Sequence, residues 1–138
     1  MLGGGNPVAG SNPSGTGIGL SYIGDHAYAY SGAIGASSSA QTLLQFNTGN
    51  SYIVGKFMCC PVTNFATVDG AETSFQLSVN GEIINIVKFD NNPSDTGGNY
   101  WIFEVLLPAF SEVKMEMDAA TSTSTYLGSV SFVGRVYQ

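Results

Sequence analysis

The only histidine of the chain, His26, directly follows an aspartate, Asp25. Catalysis by a serine or cysteine nucleophile needs a histidine that a positioned carboxylate orients. Because neighbours in sequence are poorly placed for such a relay, we expect His26 to lie at a surface or an interface, with a pH-sensitive contact as the alternative. A single histidine also excludes a metal site made of two or three histidines of one chain.

The two cysteines, Cys59 and Cys60, are adjacent within an apolar run. Adjacent residues on a strand point to opposite faces, so a bond between them would be strained, and the chain has no third cysteine. Neither C-x-x-C spacing nor a nearby histidine supports a redox or metal role. We interpret both as small hydrophobic side chains of a protein made in a reducing cytosol.

Carboxylates and amides occur in two places where they could support chemistry. Paired carboxylates can hydrolyse glycosidic bonds, but Glu112, Glu116 and Asp118 share the polar face of a strand, which we interpret as solvated or subunit-facing. The loop 90–95 offers oxygen ligands that calcium accepts, although it lacks the glycine and glutamate of an EF-hand loop and its residues are ordinary turn formers. We therefore expect no catalytic residue, no metal and no cofactor, and hence no enzyme.

Composition points to a protein whose surface is covered. Apolar residues make up 43% of the chain and charged residues only 10%, against about 25% charged in an ordinary soluble domain. Interface cores are depleted in charge, so we expect a homo-oligomer. The alternative is a monomer kept soluble by serine, threonine, asparagine and glycine.

The charge distribution excludes two kinds of partner. The net charge is −6, and the four bases are scattered along the chain. Binding of nucleic acid or of an anionic membrane needs clustered lysine and arginine, so we expect neither. The sequence has no run of 18 apolar residues, which predicts no transmembrane helix, and the N-terminus lacks a basic region followed by an apolar core, which predicts no secretory signal.

The stretch Tyr100–Asp118 organises the predicted fold. Its second half alternates between apolar and charged residues, the period of a half-buried strand, with Val113, Met115 and Met117 pointing inward. Its first half, 101–107, is nearly all apolar and predicts a strand with both faces covered. The segment 107–111 between them contains a proline and predicts a corner.

Turn signals divide the rest of the chain into short strands. Asn80-Gly81 predicts a two-residue hairpin, because both of its central residues need positive φ. Glu104 interrupts an apolar strand, and we expect it to form an ion pair with a lysine or arginine, of which Lys56, Lys88 and Arg135 are the candidates. About eight strands at roughly ten-residue spacing predict an all-β antiparallel sandwich or barrel. The further strands are expected at 27–36, 41–47, 52–60, 73–79, 82–89 and 126–137, and loops at 63–72, 90–99 and 119–125.

The segment 1–24 differs from the domain that follows it, 25–138. It is rich in glycine, contains two prolines, carries no charge, and has apolar residues only singly. Free in water such a segment cannot offset its ordering entropy. It therefore either lies along its own domain or, as we expect, reaches across a neighbouring subunit as an extended arm. Five apolar side chains are candidate anchors of that arm: Leu2, Val8, Ile18, Leu20 and Ile23.

The order of these pieces resembles that of small single jelly-roll proteins of virus particles. The residues that carry the resemblance are the hairpin 75–89, the corner Leu-Leu-Pro-Ala-Phe-Ser-Glu-Val (106–113) and the last strand with Gly-Arg-Val-Tyr (134–137). They are similar to those of minor capsid and capsid-decorating proteins of marine phages and related double-stranded DNA viruses. The resemblance covers about 25–138 and implies an eight-stranded antiparallel jelly roll with no catalytic residues.

The same resemblance implies a structural function and a location. It implies a virion protein, made in the host cytoplasm, that cements or decorates a shell as a homo-oligomer, with a trimer favoured. Its partners would be the major capsid protein or other virion subunits. The alternative is a receptor- or carbohydrate-binding jelly-roll head, because the same fold class includes tumour-necrosis-factor-like and C1q-like trimers. Aromatic residues that could form the floor of a sugar site, but that we expect in the core or at interfaces, include Tyr22, Tyr28, Tyr30, Tyr52, Trp101, Tyr126 and Tyr137.

Overall fold

The structure, a computed structural model, describes residues 20–36, 39–63, 72–90, 100–119 and 123–137. All regular structure in these ranges is β-strand, so the prediction of an all-β fold is confirmed. Ten strands are present where about eight were expected, because two short strands, β1 and β3, add to the longer ones. The strands are β1 (Ser21–Ile23), β2 (His26–Tyr30), β3 (Ile34–Ala36), β4 (Gln41–Asn47), β5 (Tyr52–Thr63), β6 (Glu72–Val79), β7 (Glu82–Asp90), β8 (Trp101–Leu107), β9 (Glu112–Ala119) and β10 (Thr123–Tyr137).

The strands form two antiparallel sheets. The larger sheet has the order β1-β2-β10-β5-β8, and β3 also pairs with β10. The smaller sheet has the order β4-β9-β6-β7. Their inner faces bury one common core, so the molecule is a β-sandwich. The described part of the chain contains no helix that could cross a membrane.

Aromatic rings at the centre of the core join the two sheets. Phe132 on β10 packs against Phe57 on β5 at 4.6 Å and against Phe46 of the smaller sheet at 5.6 Å. Phe57 also stacks on Phe103 at 5.6 Å. A fully buried side chain of this size contributes about 1.5–3 kcal/mol. The residues predicted to point inward from β9, Val113, Met115 and Met117, are buried, which confirms the alternation on which that strand was predicted.

A pair of glycines makes room for these rings. Gly55 on β5 lies opposite Gly134 on β10, and both are buried. A Cβ added to Gly55 would lie 2.7 Å from the Phe132 ring and 2.6 Å from the backbone oxygen of Val133. The absence of a side chain at both positions therefore lets the Phe132 ring pack directly on the backbone of the larger sheet.

The predicted turns are confirmed. Asn80 and Gly81 have φ of 53° and 85°, as the hairpin between β6 and β7 requires. The corner 107–111 turns through Phe110, whose φ is 58°. The hydroxyl of Thr48, which is fully buried, donates to the Pro108 carbonyl at 2.7 Å and accepts from the Ser111 amide at 3.0 Å. This side chain thus joins the β8–β9 corner to the turn that follows β4.

Three predicted strand boundaries are wrong. The strand expected at 27–36 is broken into β2 and β3, because the chain turns at Gly32 with φ of 71°. Strand β5 does not end at Pro61 but runs to Thr63. In the described residues its pairing with β8 stops at Cys59, so that at the proline only β10 pairs with it. Strand β10 begins at Thr123, inside the loop expected at 119–125.

The prediction that β8 is covered on both faces is also wrong for the single chain. Ile102 and Leu106 leave 49% and 56% of their surface exposed, whereas Leu107 is fully buried. Strand β8 lies at the edge of the larger sheet, and only its inner face meets the core. Most of the loops expected at 63–72 and 90–99 lies outside the described residues.

Candidate protein interface

The larger sheet presents a broad outer face of five strands to the surroundings. Along each strand the side chains of this face alternate with the buried side chains of the core, as the pleat requires. The outer face consists of Ser21, Ile23, His26, Tyr28, Tyr30, Tyr52, Val54, Lys56, Met58, Cys60, Ile102, Glu104, Leu106, Ser129, Ser131, Val133, Arg135 and Tyr137.

Large apolar side chains dominate the outer face. Nine of them leave at least 37% of their surface exposed, from Val54 and Tyr137 at 37% to Ile23 at 66%. Apolar side chains lie opposite each other in two places, Met58 with Ile102 and Val54 with Leu106, on either side of the Lys56–Glu104 pair. Monomeric proteins rarely expose so many large apolar side chains on one face, which makes this face a candidate contact surface.

The charged groups of the outer face are paired with one another. Lys56 Nζ lies 3.7 Å from Glu104 Oε1, which confirms the ion pair predicted for Glu104. Arg135 Nε lies 3.2 Å from Asp25 Oδ2, and the arginine guanidinium also lies over the Tyr137 ring at 5.6 Å. These pairs are exposed, so each contributes at most about 1 kcal/mol to the stability of the chain.

The ion-paired groups at this face add nothing to the net charge of the chain. Two of the ten acids, Glu104 on the face and Asp25 in the turn beside it, balance two of the four bases, Lys56 and Arg135. The remaining eight acids and two bases carry the full net charge of −6. The outer face is therefore apolar and electrically neutral on an acidic protein.

The outer face of the smaller sheet is polar along β9 and β6. The carboxylates predicted to share a strand face, Glu112, Glu116 and Asp118, do lie together on it, next to Lys114, whose Nζ is 3.6 Å from Glu116 Oε2. Asp118 accepts a hydrogen bond from the Ser74 hydroxyl. A shallow depression beside them is lined by Ala40, Ser74, Gln76, Glu116, Met117 and Asp118. In the described residues no three histidine, cysteine or acidic side chains are grouped so as to hold a metal ion.

The histidine and the cysteines singled out for reactivity lie in different surroundings. His26 is exposed on the outer face, which agrees with its predicted place at a surface or an interface, and its Nδ1 lies 2.9 Å from Asp25 Oδ1. Cys59 points into the core, and burial, together with the neighbouring Cys60, raises its pKa to about 12. Burial also raises the pKa of Cys60. Neither cysteine is therefore a thiolate near neutral pH.

Only two of the five candidate arm anchors belong to the described residues, which begin at residue 20. Leu20 is partly buried and packs against the core of its own domain, whereas Ile23 points outward from β1. Leu2, Val8 and Ile18 lie outside the described residues, as do residues 91–95 of the candidate calcium loop.

The aromatic residues divide between the core and the outer face. Tyr22 packs against the core, and its hydroxyl is buried without a hydrogen-bond partner among the described residues. Tyr52 and Tyr137 stack on each other at 5.1 Å at one end of the outer face. Tyr28 and Tyr30 lie 5.5 Å apart at its β2 side. Trp101 is half-exposed at the start of β8, and the side chain of Tyr126 lies outside the described residues.

A second, smaller group of exposed apolar side chains lies on the free edge of the smaller sheet. Ile83, Ile84 and Ile86 of β7 expose 53%, 47% and 57% of their surface. The register of β7 against β6 shifts by one residue between Leu77 and Ser78, which marks a β-bulge. Bulges of this kind twist an edge strand away from regular pairing, so this edge is partly protected.

The deficit of charge in the sequence predicts that some surface is covered, but it does not show which one. The signal that could have located it is the position of Lys56 and Glu104, because each interrupts an apolar strand and so marks which residues point outward. No known family model matches the chain, and a search of curated proteins finds no relative.

Proposed function

We propose that this protein is a structural subunit that functions by assembly, as a single jelly-roll protein that cements or decorates a virus shell. The observation that carries the proposal is the apolar, neutral outer face of the larger sheet. A protein that acted alone in water would gain nothing from nine exposed large apolar side chains on one face. Covering them with another subunit removes that surface from water.

The strand pairing supports the jelly-roll part of the proposal. When the short strands β1 and β3 are set aside, eight strands remain, and their pairs are nested: β2 with β10, β4 with β9, β5 with β8, and β6 with β7. First thus pairs with eighth, second with seventh, third with sixth and fourth with fifth. A long antiparallel hairpin folded over into two four-stranded sheets has this pairing, which is that of a jelly roll.

The chemistry of the described side chains supports a structural function over catalysis. The neighbouring acids lie on the outer face of the smaller sheet, the histidine is exposed, and the thiols are held protonated by burial. The proposed partners are copies of this chain and the major capsid protein or another virion subunit, and the proposed location is the virion.

The experiment is reconstitution of a shell. Shells assembled without this chain are mixed with the purified wild-type chain, and bound protein and the melting temperature of the shell are measured. We expect saturable binding and a raised melting temperature. The Val133→Glu variant, which introduces a charge at the centre of the outer face, should bind shells less well, because it weakens the contacts between subunits through which the chain assembles. A wild-type chain that neither binds nor stabilises shells would refute the proposal.

One observation favours a second candidate function, a carbohydrate-binding head. The Tyr52–Tyr137 stack is exposed beside Arg135, and tyrosine faces bind sugar rings while a guanidinium binds hydroxyl or acidic groups. A glycan array probed with the wild-type chain and with the Tyr137→Ala variant tests it. Specific glycan binding that the variant loses would favour this function, and no binding would exclude the tested glycans as ligands.

A further inference from the structure

We infer that the outer face of the larger sheet packs against the same face of a second copy of this chain, in a two-fold symmetric dimer. The inference deepens the proposed function, on which it rests, because it names the first partner of that face. A dimer with one self-complementary contact differs from the trimer that the sequence resemblance implies, since a closed trimer requires two different surfaces on each subunit.

The distribution of charge favours a second copy of this chain as the partner. Two chains of net charge −6 repel each other wherever their acids meet. On the outer face every charged group has its counter-ion on the same subunit, in the pairs Lys56–Glu104 and Arg135–Asp25. Contact between two such faces brings together neutral surfaces, and the described acids of the smaller sheet, among them Glu112, Glu116 and Asp118, lie away from it.

The residue types also fit a protein–protein contact. Tyrosine, methionine and arginine are enriched in interfaces, whereas lysine and glutamate are depleted in their cores. The outer face carries four tyrosines, Met58 and Arg135, and its single lysine and single glutamate neutralise each other. The pair remains compatible with burial because removing water strengthens the attraction, although its desolvation opposes binding.

The face is large enough for a small subunit contact. Five strands at about 4.8 Å spacing and about six residues of about 3.3 Å rise give a face of about 20 by 24 Å, or about 480 Å² when flat. The projecting side chains add to that accessible area, which places it nearer the small, weak interfaces than the roughly 800 Å² per partner of a standard one. Two twisted sheets pack in this way about 10 Å apart, as they do within a sandwich.

The test is sedimentation equilibrium of the full chain from about 0.1 to about 100 µM, a range that brackets micromolar dissociation constants. We expect a monomer–dimer equilibrium. The Val133→Glu variant should raise the dissociation constant at least about 100-fold, because it adds an excess negative charge to each half of a contact in which Lys56, its neighbour across the ladder, already pairs with Glu104. The matched control is Ile86→Glu, which adds the same charge at a similarly exposed position of the smaller sheet and should leave the dissociation constant unchanged. Urea unfolding of both variants checks that each is folded.

A second variant tests the ion pair within the contact. Replacing Lys56 and Glu104 together by methionine and leucine removes the cost of desolvating the ion pair, and we expect the dissociation constant of the dimer to fall by about tenfold or more.

A wild-type chain that stays monomeric over the whole range overturns the inference, as does an oligomer that Ile86→Glu dissociates and Val133→Glu does not. A monomer that still binds shells through a Val133-sensitive contact also overturns the inference but leaves the proposed function standing. A Val133-sensitive dimer that never binds shells supports the inference and refutes the function.

Discussion

Replacing Gly55 by alanine is predicted to destabilise the protein. The added Cβ would lie 2.6 Å from the Val133 carbonyl oxygen, 2.7 Å from the Gly134 Cα and 2.7 Å from Phe132 Cε1. Two of these three atoms belong to the backbone of β10, which cannot yield without disturbing the ladder. The contact therefore falls at the upper end of the cost of overpacking, about 3 kcal/mol.

An opposing effect reduces this cost. Alanine restricts the unfolded chain more than glycine does, which stabilises the folded state by about 0.4–1 kcal/mol where the conformation is compatible. The net prediction is a loss of about 2 kcal/mol in the free energy of unfolding. With a urea dependence of about 1.5 kcal/mol per molar, the midpoint should fall by more than about 1 M.

The assay is equilibrium urea unfolding at one fixed protein concentration, because assembly itself stabilises the folded chain. The matched control is Gly35→Ala, since a Cβ at Gly35 meets no atom within 4 Å. We expect the control to be unchanged or slightly more stable. If Gly55→Ala unfolds at the same urea concentration as the wild type, Phe132 does not pack on the backbone as the structure places it.

Three further predictions concern single polar groups. Thr48→Val removes a buried hydroxyl that forms hydrogen bonds to Pro108 and Ser111. The variant should lower the free energy of unfolding, measured by urea titration, by about 2 kcal/mol. An unchanged free energy would show that the β8–β9 corner does not depend on this hydroxyl. Tyr22→Phe removes a buried hydroxyl without a described partner, so the urea midpoint should stay equal or rise, and a clear fall would reveal a missing partner. Burial raises the pKa of Cys59 in the folded state from about 9 to about 12. The contribution of the protonated Cys59 thiol to the free energy of unfolding is therefore complete below pH 9 and is lost as the pH rises toward 12. Stability should fall by up to about 1.4 kcal/mol per pH unit in that range, and less steeply in Cys59→Ala; equal slopes would contradict the assignment.

Local signals explain which parts of the fold were predictable. The hairpin at Asn80-Gly81 depends on the φ preferences of two residues, and the strand β9 depends on alternation within eight residues. Both were predicted correctly. The end of β5 was not, because Pro61 is tolerated only where β8 no longer pairs beside it, and that depends on a strand 40 residues later in the chain.

The candidate interface depends on non-local information in the same way. Strands β5 and β8 are apolar on both faces, so the sequence alone does not show a half-buried period. The order of the strands in the two sheets decides which side of β5 and β8 faces the core. The outer face also combines strands from both ends of the chain. Composition predicted that some surface is covered, whereas only the register placed Val133, Lys56 and Glu104 side by side on it.

The most direct measurement of the central proposal, that the outer face of the larger sheet is a contact surface between subunits, is hydroxyl-radical footprinting of the wild-type chain at low and at high concentration. Met58, Ile102 and Leu106 should become protected as the concentration rises, because they lie on that face. Phe110, 78% exposed in the β8–β9 corner, should react equally at both concentrations and serves as the internal reference. Equal labelling of Met58, Ile102 and Leu106 at both concentrations, in a chain that assembles, would contradict the proposal.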